Sequence, residues 1–168
     1  KACWRTNLNC FSILASNVSS ASTFLGLQRA TRTRVFLSLG LHDMVYRITL
    51  PGQFVSKLSK VFSVLMHLDP CVEITWISLY PLIDPQPGRD AKFPNYQHIN
   101  NLITQVNSET NKSVSSAGFR VFNVSAYFPN LSPGMSSDTV HLSKRFDMYL
   151  VRELLNISTV GAAISKSK

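Results

Sequence analysis

The residues best suited to chemistry lie near the end of the chain, in the motif Asp138-Thr139-Val140-His141, which precedes a helical pattern. An aspartate three residues before a histidine can orient the imidazole and stabilise its charged form. The histidine can then act as a general base toward a hydroxyl nucleophile. Because Asp-x-x-His is common by itself, its significance depends on the elements that position it.

A second polar segment, Gly40-Leu41-His42-Asp43, directly follows an apolar run that is typical of a strand. A glycine allows backbone to approach a ligand closely. A histidine can donate an N–H toward a developing negative charge. The alternative for His42 is a loop residue that bonds to backbone.

The remaining histidines and the cysteines show no metal-ligand spacing, so neither a metal nor a cofactor is predicted. His67 is interpreted as a core or helix-end residue, and His98 as an exposed residue near a helix start. The three cysteines allow one disulfide in an oxidising compartment. The alternative for Cys71 is a small buried hydrophobic residue.

Apolar periodicity predicts the elements that must position these motifs. Strands are predicted at 33–39, 72–80 and 119–124, and helices at 51–68, 96–115 and 143–156. Loops are predicted at 81–94 and 125–140. This alternation predicts an α/β fold, a three-layer sandwich with a flavodoxin-like parallel sheet. The carboxyl ends of parallel strands share one edge, where ligand sites form.

Composition excludes several classes of protein. With 45% hydrophobic and 15% charged residues, the chain is expected to fold rather than be disordered. No apolar run reaches the ~20 residues that a membrane helix needs. The net charge of +8 shows one dense basic patch, Arg29, Arg32 and Arg34, without interleaved aromatic residues, so no nucleic-acid partner is expected.

Five Asn-X-Ser/Thr sequons occur where roughly two are expected by chance. They favour the secretory lumen or the extracellular space over the cytosol. The chain opens at Lys1 without a Met or a leader, which we interpret as a truncated precursor; the alternative is a natural start after processing. The candidate glycosylation sites are Asn17, Asn111, Asn123, Asn130 and Asn156.

Two motifs resemble those of known enzymes. The stretch DTVHL resembles the last block of SGNH (GDSL-type) hydrolases, and GLHD after a strand is similar to their Gly-x-Asn-Asp block. The opening SLGLHD is similar to the PC-esterase branch, with its neurexophilin-related proteins and sialic-acid O-acetyltransferases. The resemblance covers residues 33–157. Residues 1–32 are expected to form a linker or an incomplete N-terminal element, and 158–168 a disordered tail.

The resemblance implies a role for each matching residue. His141 is the catalytic base and Asp138 its orienter, Gly40 is the block glycine, and His42 replaces the asparagine that helps to hold the oxyanion. The family's Gly-Asp-Ser nucleophile motif does not occur in the sequence. Either the serine lies upstream of Lys1, or the protein is an inactive relative.

We therefore expect an O-acyl ester hydrolase or transferase that acts on a carbohydrate-linked ester, with acetyl as the expected acyl group. This chain alone is expected to show little turnover, since no nucleophile is evident. The alternative is an inactive secreted glycoprotein that uses the same cleft to bind a ligand or a partner.

Overall fold

The computed structural model describes residues 2–3, 8–27, 33–47, 49–84, 87–88, 96–132 and 135–164. These residues fall into two compact units, which are treated separately. The sheet unit comprises Lys1–Pro81 and Gln97–Pro129. The histidine unit comprises Leu82–Tyr96 and Asn130–Lys168 and contains the Asp-x-x-His motif.

The described residues of the sheet unit form four parallel strands in the spatial order β1-β2-β3-β4. β2 and β3 pair over their longest stretch, with Leu37 opposite Trp76. Because the strands are parallel, their carboxyl ends share one edge of the sheet. The strands are β1 (Ala2–Cys3), β2 (Thr33–Leu37), β3 (Val72–Ile77) and β4 (Arg120–Phe122).

Within the described part of this unit, six helices accompany these strands. Among them α1 and α2 contact α4, and α4 in turn contacts α5, so these helices pack side by side. The helices are α1 (Leu8–Leu14), α2 (Val18–Leu25), α3 (Leu41–Arg47), α4 (Pro51–Leu65), α5 (Gln97–Ser116) and α6 (Val124–Tyr127).

Helix α4 shows how the sequence specifies an element and its burial. Pro51 occupies the first turn, where its missing N–H leaves no hydrogen bond unmade. Apolar residues then recur at three- and four-residue intervals and are buried. Among them Phe62 meets the fully buried Trp76 of β3 edge to face, with ring centroids 6.0 Å apart.

Side chains fix the backbone where β3 ends. The Asn107 side chain of α5 accepts from Leu79 N at 2.9 Å and donates to Leu79 O at 2.7 Å. The buried Ser78 Oγ accepts from Val124 N at 2.9 Å, which ties the end of β3 to the first residue of α6. The carboxyl edge of the sheet is therefore held by specific hydrogen bonds as well as by the strand ladder.

Among its residues that the structure describes, the histidine unit has one long helix, α7 (Lys144–Ile164). Its start is capped by Ser143, whose Oγ accepts a long bond of 3.4 Å from Phe146 N. Phe146, Leu150 and Leu154 are buried at spacings of four residues, so they form the apolar stripe of the helix.

The α/β fold with a parallel sheet is confirmed, but several elements differ from expectation. Helices α3 and α6 lie where loops were predicted, and α7 continues past residue 157. Residues 2–25 contribute a strand and two helices. Much of the predicted 81–94 loop lies outside the described residues.

The cysteines also need one correction. Cys71 is exposed, so its interpretation as a buried hydrophobic residue is wrong, because it lies in a surface turn before β3. Cys10, by contrast, is buried. Within the described part of the chain, no helix combines the length and apolar character required to cross a membrane.

Candidate functional site

The loop at 135–143 of the histidine unit closes on itself around His141. An antiparallel bridge joins Ser136 to Leu142. The His141 carbonyl accepts from Ser137 N at 2.8 Å and from the Ser136 and Ser137 hydroxyls, each at 3.1 Å. The backbone of His141 is therefore fixed from one side by the serines that precede the motif.

Asp138 fixes His141 from the other side. Its Oδ1 accepts from the backbone N–H groups of Val140 at 3.2 Å and His141 at 2.8 Å. The imidazole Nδ1 lies 2.8 Å from Oδ2 and 3.0 Å from Oδ1. The same carboxylate thus holds both the backbone and the ring of His141.

One of the two residues between Asp138 and His141 has an unusual conformation. Thr139 has φ of 81°, a region that β-branched residues rarely adopt. Both Thr139 and Val140 are buried. The segment after β3 reaches this loop through Ile83, whose N–H donates to Thr139 O at 3.4 Å.

The contacts of the ring favour one tautomer. A carboxylate only accepts hydrogen bonds, so Nδ1 carries the proton and the basic lone pair of the neutral ring is on Nε2. The His141 side chain is 49% exposed, whereas that of Asp138 is 25% exposed. The arrangement supplies an oriented, solvent-accessible base.

A second carboxylate, Asp147, interacts electrostatically with His141. Partial burial raises the pKa of Asp147 above its usual value, and the His141 charge opposes that rise. Asp147 also lines an open depression of about 430 Å³ along α7, together with Met148, Val151, Arg152, Leu155 and Asn156. Sequence analysis missed Asp147, whose only signal was its place one turn into the closing helix.

The segment after β3 carries a further pair of residues. The buried Tyr96 hydrogen-bonds with the exposed Asp84. Burial is the largest cause that raises the pKa of the Tyr96 phenol, followed by the hydrogen bond and the charge of Asp84. The two residues join the ends of the 84–96 segment.

Gly40 lies at the carboxyl end of β2, in the sheet unit. Its φ is 94°, and a Cβ there would overlap the ring of Phe54. Phe54 is buried and packs edge to face on Phe11 with centroids 5.6 Å apart. The structure therefore explains this glycine by its backbone and by packing, and a ligand-binding role stays a prediction.

His42 lies in the first turn of α3, so its interpretation as a loop residue is wrong. The helix forms because Leu41, Met44 and Val45 provide buried positions at helical spacing. The half-buried His42 ring meets Tyr46 edge to face, with centroids 5.4 Å apart. Its role toward an oxyanion remains a prediction.

The other predicted features are placed as follows. His67 follows the end of α4 and His98 lies in the first turn of α5, both exposed, so the helix-end and helix-start interpretations are confirmed. In the predicted basic patch, Arg34 pairs with Glu73 at 3.0 Å, while Arg29 and Arg32 lie outside the described residues. Across the described residues, no three His, Cys, Asp or Glu side chains come together as a metal would need.

Comparison with known proteins gives similarity at the level of the fold. No protein-family model matches the sequence, and no curated protein matches it. Solved structures of esterases do match. A carbohydrate acetylesterase from Sinorhizobium meliloti has a TM-score of 0.61 at 13% identity, over 89% of this chain and 67% of that one.

Two further solved structures agree. An aryl esterase from M. smegmatis has a TM-score of 0.55 at 16% identity, over 83% of this chain and 67% of that one. A lipolytic G-D-S-L family protein from Veillonella parvula has a TM-score of 0.56 at 10% identity, over 85% and 75%. The chain therefore has the α/β fold that these esterases share.

Proposed function

We propose that this protein is an ester hydrolase or acyltransferase of the SGNH type, with His141 as its base. The observation that carries the proposal is the contact of the Asp138 carboxylate with Nδ1 of a half-exposed imidazole. The fold shared with solved esterases supports it. The Asp-x-x-His spacing in the sequence supports it independently.

In the proposed reaction a serine hydroxyl attacks the ester carbonyl carbon while His141 Nε2 accepts its proton. Asp138 holds the ring and stabilises the imidazolium that results. As the tetrahedral intermediate collapses, the C–O bond to the alcohol breaks and His141 returns the proton to the leaving oxygen. Water, activated by the same nitrogen, then releases the acid from the acyl-enzyme.

The nucleophile and the oxyanion site belong to the proposal. The sequence has no Gly-Asp-Ser, and we place the serine on a segment upstream of Lys1. We assign stabilisation of the oxyanion to the Gly40 backbone and the His42 side chain. The stretch SLGLHD is similar to the PC-esterase branch, and we propose that the protein belongs to that branch. Within it, we place the protein nearest to enzymes that transfer or remove O-acetyl groups.

The proposed substrate is an O-acyl ester on a carbohydrate, with acetyl as the proposed acyl group. One matching structure is a carbohydrate acetylesterase, which supports this class. The proposed compartment is the secretory lumen or the extracellular space, because sequons exceed chance. No cofactor enters the proposed chemistry.

A second candidate is an inactive secreted glycoprotein that binds a ligand or partner through the same residues. The absence of a Gly-Asp-Ser motif favours it. The two candidates differ in turnover, so a hydrolysis assay separates them.

The test is hydrolysis of p-nitrophenyl acetate by the chain and by a form extended upstream to include any Gly-Asp-Ser that precedes it. In the active form, His141→Ala should lower kcat on the order of 10⁴-fold or more, since the base is lost. Asp138→Asn should lower it on the order of 10³- to 10⁴-fold, because the ring loses its oriented tautomer.

His67→Ala is the matched control, because an exposed imidazole can hydrolyse this activated ester by itself. That variant should keep the parent rate. Equal rates for His141→Ala and the parent would remove the base from the proposal. No turnover in any form that carries Gly-Asp-Ser would favour the binding protein.

A further inference from the structure

We infer that Thr139 is a positioning residue, whose left-handed backbone sets the Asp138 carboxylate against the His141 ring. The inference rests on the proposed function for its consequence in catalysis. Its structural part, the control of the imidazole, can be measured without any activity.

The conformation of Thr139 is costly. A β-branched residue at φ of 81° is strained, and such strain persists only where surrounding contacts impose it. Such outliers in an otherwise regular loop indicate a requirement on the backbone. Here the outlier lies directly between the two residues of the candidate catalytic pair.

The contacts around Thr139 show what its conformation achieves. The chain reverses at this residue, so the N–H groups of Val140 and His141 turn back onto Asp138 Oδ1, at 3.2 and 2.8 Å. The same reversal brings His141 Nδ1 within 2.8 Å of Oδ2. With Thr139 in the left-handed region, the backbone N–H and the ring Nδ1 of His141 both reach the Asp138 carboxylate, at 2.8 Å each.

Contacts from the rest of the histidine unit keep Thr139 in its strained conformation. Thr139 is 1% exposed, and the adjoining Val140 is equally buried. Ile83, itself buried, donates to Thr139 O through a long bond of 3.4 Å. The segment after β3 thus supports the Asp-x-x-His loop from outside.

The hydroxyl of Thr139 contributes little to this arrangement. Its Oγ1 is buried and has no hydrogen-bond partner among the residues that the structure describes. The inference therefore assigns the role to the backbone conformation. Glycine, which adopts positive φ without strain, should replace Thr139 without loss of the geometry.

Three variants of the full chain separate the possibilities. Thr139→Gly permits the left-handed backbone, Thr139→Val keeps the branched shape without the hydroxyl, and Thr139→Pro forbids positive φ. The readout is the ¹⁵N NMR spectrum of the imidazoles, with the His141 signals assigned by their loss in His141→Gln. Circular dichroism and thermal unfolding establish that each variant is folded.

The parent, the Gly variant and the Val variant should show His141 with its proton on Nδ1, and a folded Pro variant should lose that preference. If the Pro variant does not fold, the comparison of Gly and Val with the parent decides. A parent-like ring in a folded Pro variant, or a lost preference in the Gly or Val variant, would overturn the inference.

In a form that hydrolyses p-nitrophenyl acetate, the Pro variant should lower kcat on the order of 10²-fold with little change in KM, because the base is displaced from its productive geometry. The Gly and Val variants should stay close to the parent. If no form that carries Gly-Asp-Ser hydrolyses the ester, the proposed function fails while the NMR result still decides the positioning role.

Discussion

Two carboxylates act on the His141 ring, and their surroundings differ. Asp138 makes four contacts with the backbone and ring of the loop, all between 2.8 and 3.2 Å. Asp147 is partly buried, and burial is the main cause of its raised pKa. The first carboxylate is therefore held by hydrogen-bond donors, whereas the second lies at an exposed position of α7, where partial burial raises its pKa.

Asp147→Asn should stabilise the fold at neutral pH. Because the pKa of Asp147 is raised in the folded state, this residue contributes most to stability at pH values below the usual aspartate pKa. That contribution is lost as pH rises through the folded-state pKa. The stability of the variant relative to the parent should therefore increase as pH rises from about 3 to 7, the range over which an aspartate titrates. Urea unfolding midpoints across this range measure the difference.

Glu109→Gln is the control, because it removes one exposed carboxylate on α5 with the same change in net charge. A gain of similar size and pH dependence in that variant would attribute the effect to net charge. A loss of stability in Asp147→Asn at neutral pH would show that its attraction to His141 outweighs the cost of burial.

At the scale of elements, the turn from β2 into α3 combines a left-handed glycine with tight packing. Gly40 leaves no room for a side chain because the Phe54 ring occupies the space of a Cβ. Phe54 cannot move away easily, since it is 1% exposed and packs against Phe11. The contact between Gly40 and the Phe54 ring therefore fixes the start of α3 against α4.

Gly40→Ala should destabilise the sheet unit by on the order of 3 kcal/mol, from overpacking and from positive φ together. Gly52→Ala in α4 is the matched control, because a Cβ there meets nothing within 4 Å. It should leave stability unchanged or raise it by up to about 1 kcal/mol, since alanine favours helix. Denaturant unfolding measures both; similar losses in the two variants would contradict the packing explanation.

Apolar periodicity predicted the long elements well and the short ones poorly. Strands β2 and β3 and helices α4 and α5 have strong apolar patterns. In the structure, apolar residues of these patterns are buried. Helix α3 was missed because its seven residues follow a strand and begin with a polar motif. The four-residue α6 is too short for any pattern to indicate it.

The candidate site was predictable only in part. The Asp-x-x-His spacing predicted that Asp138 would contact His141, since the contact is local in sequence. Neither the left-handed Thr139 nor the support from Ile83 could be predicted, because the first is imposed by burial and the second joins residues far apart in the chain. Tertiary contacts decide both.

At the scale of the whole molecule, the surface distinguishes among the five sequons. Asn17, Asn123, Asn130 and Asn156 are exposed, whereas Asn111 is half-buried in α5 and its Oδ1 is fully buried. A glycan attached at Nδ2 of Asn17 would leave its Oδ1 bond to Ser20 N intact, so the cap of α2 tolerates the modification.

Expression in secretory cells should therefore yield glycans at the exposed sequons and none at Asn111. Mass shifts upon glycosidase treatment, mapped by peptide, measure the occupancy. Asn123→Gln should remove one glycan, and Asn111→Gln should remove none. Unmodified asparagine at all five sites would remove the main support for the secretory compartment.

Strand β4 has consequences for association between molecules. It is the last in the described strand order, has three residues and carries the exposed Arg120. The outer strand of a sheet presents backbone N–H and C=O groups with which another chain can pair. A short strand with a charged side chain pairs less readily. We therefore expect β4 to be a poor nucleus for intermolecular β-structure, even at high protein concentration.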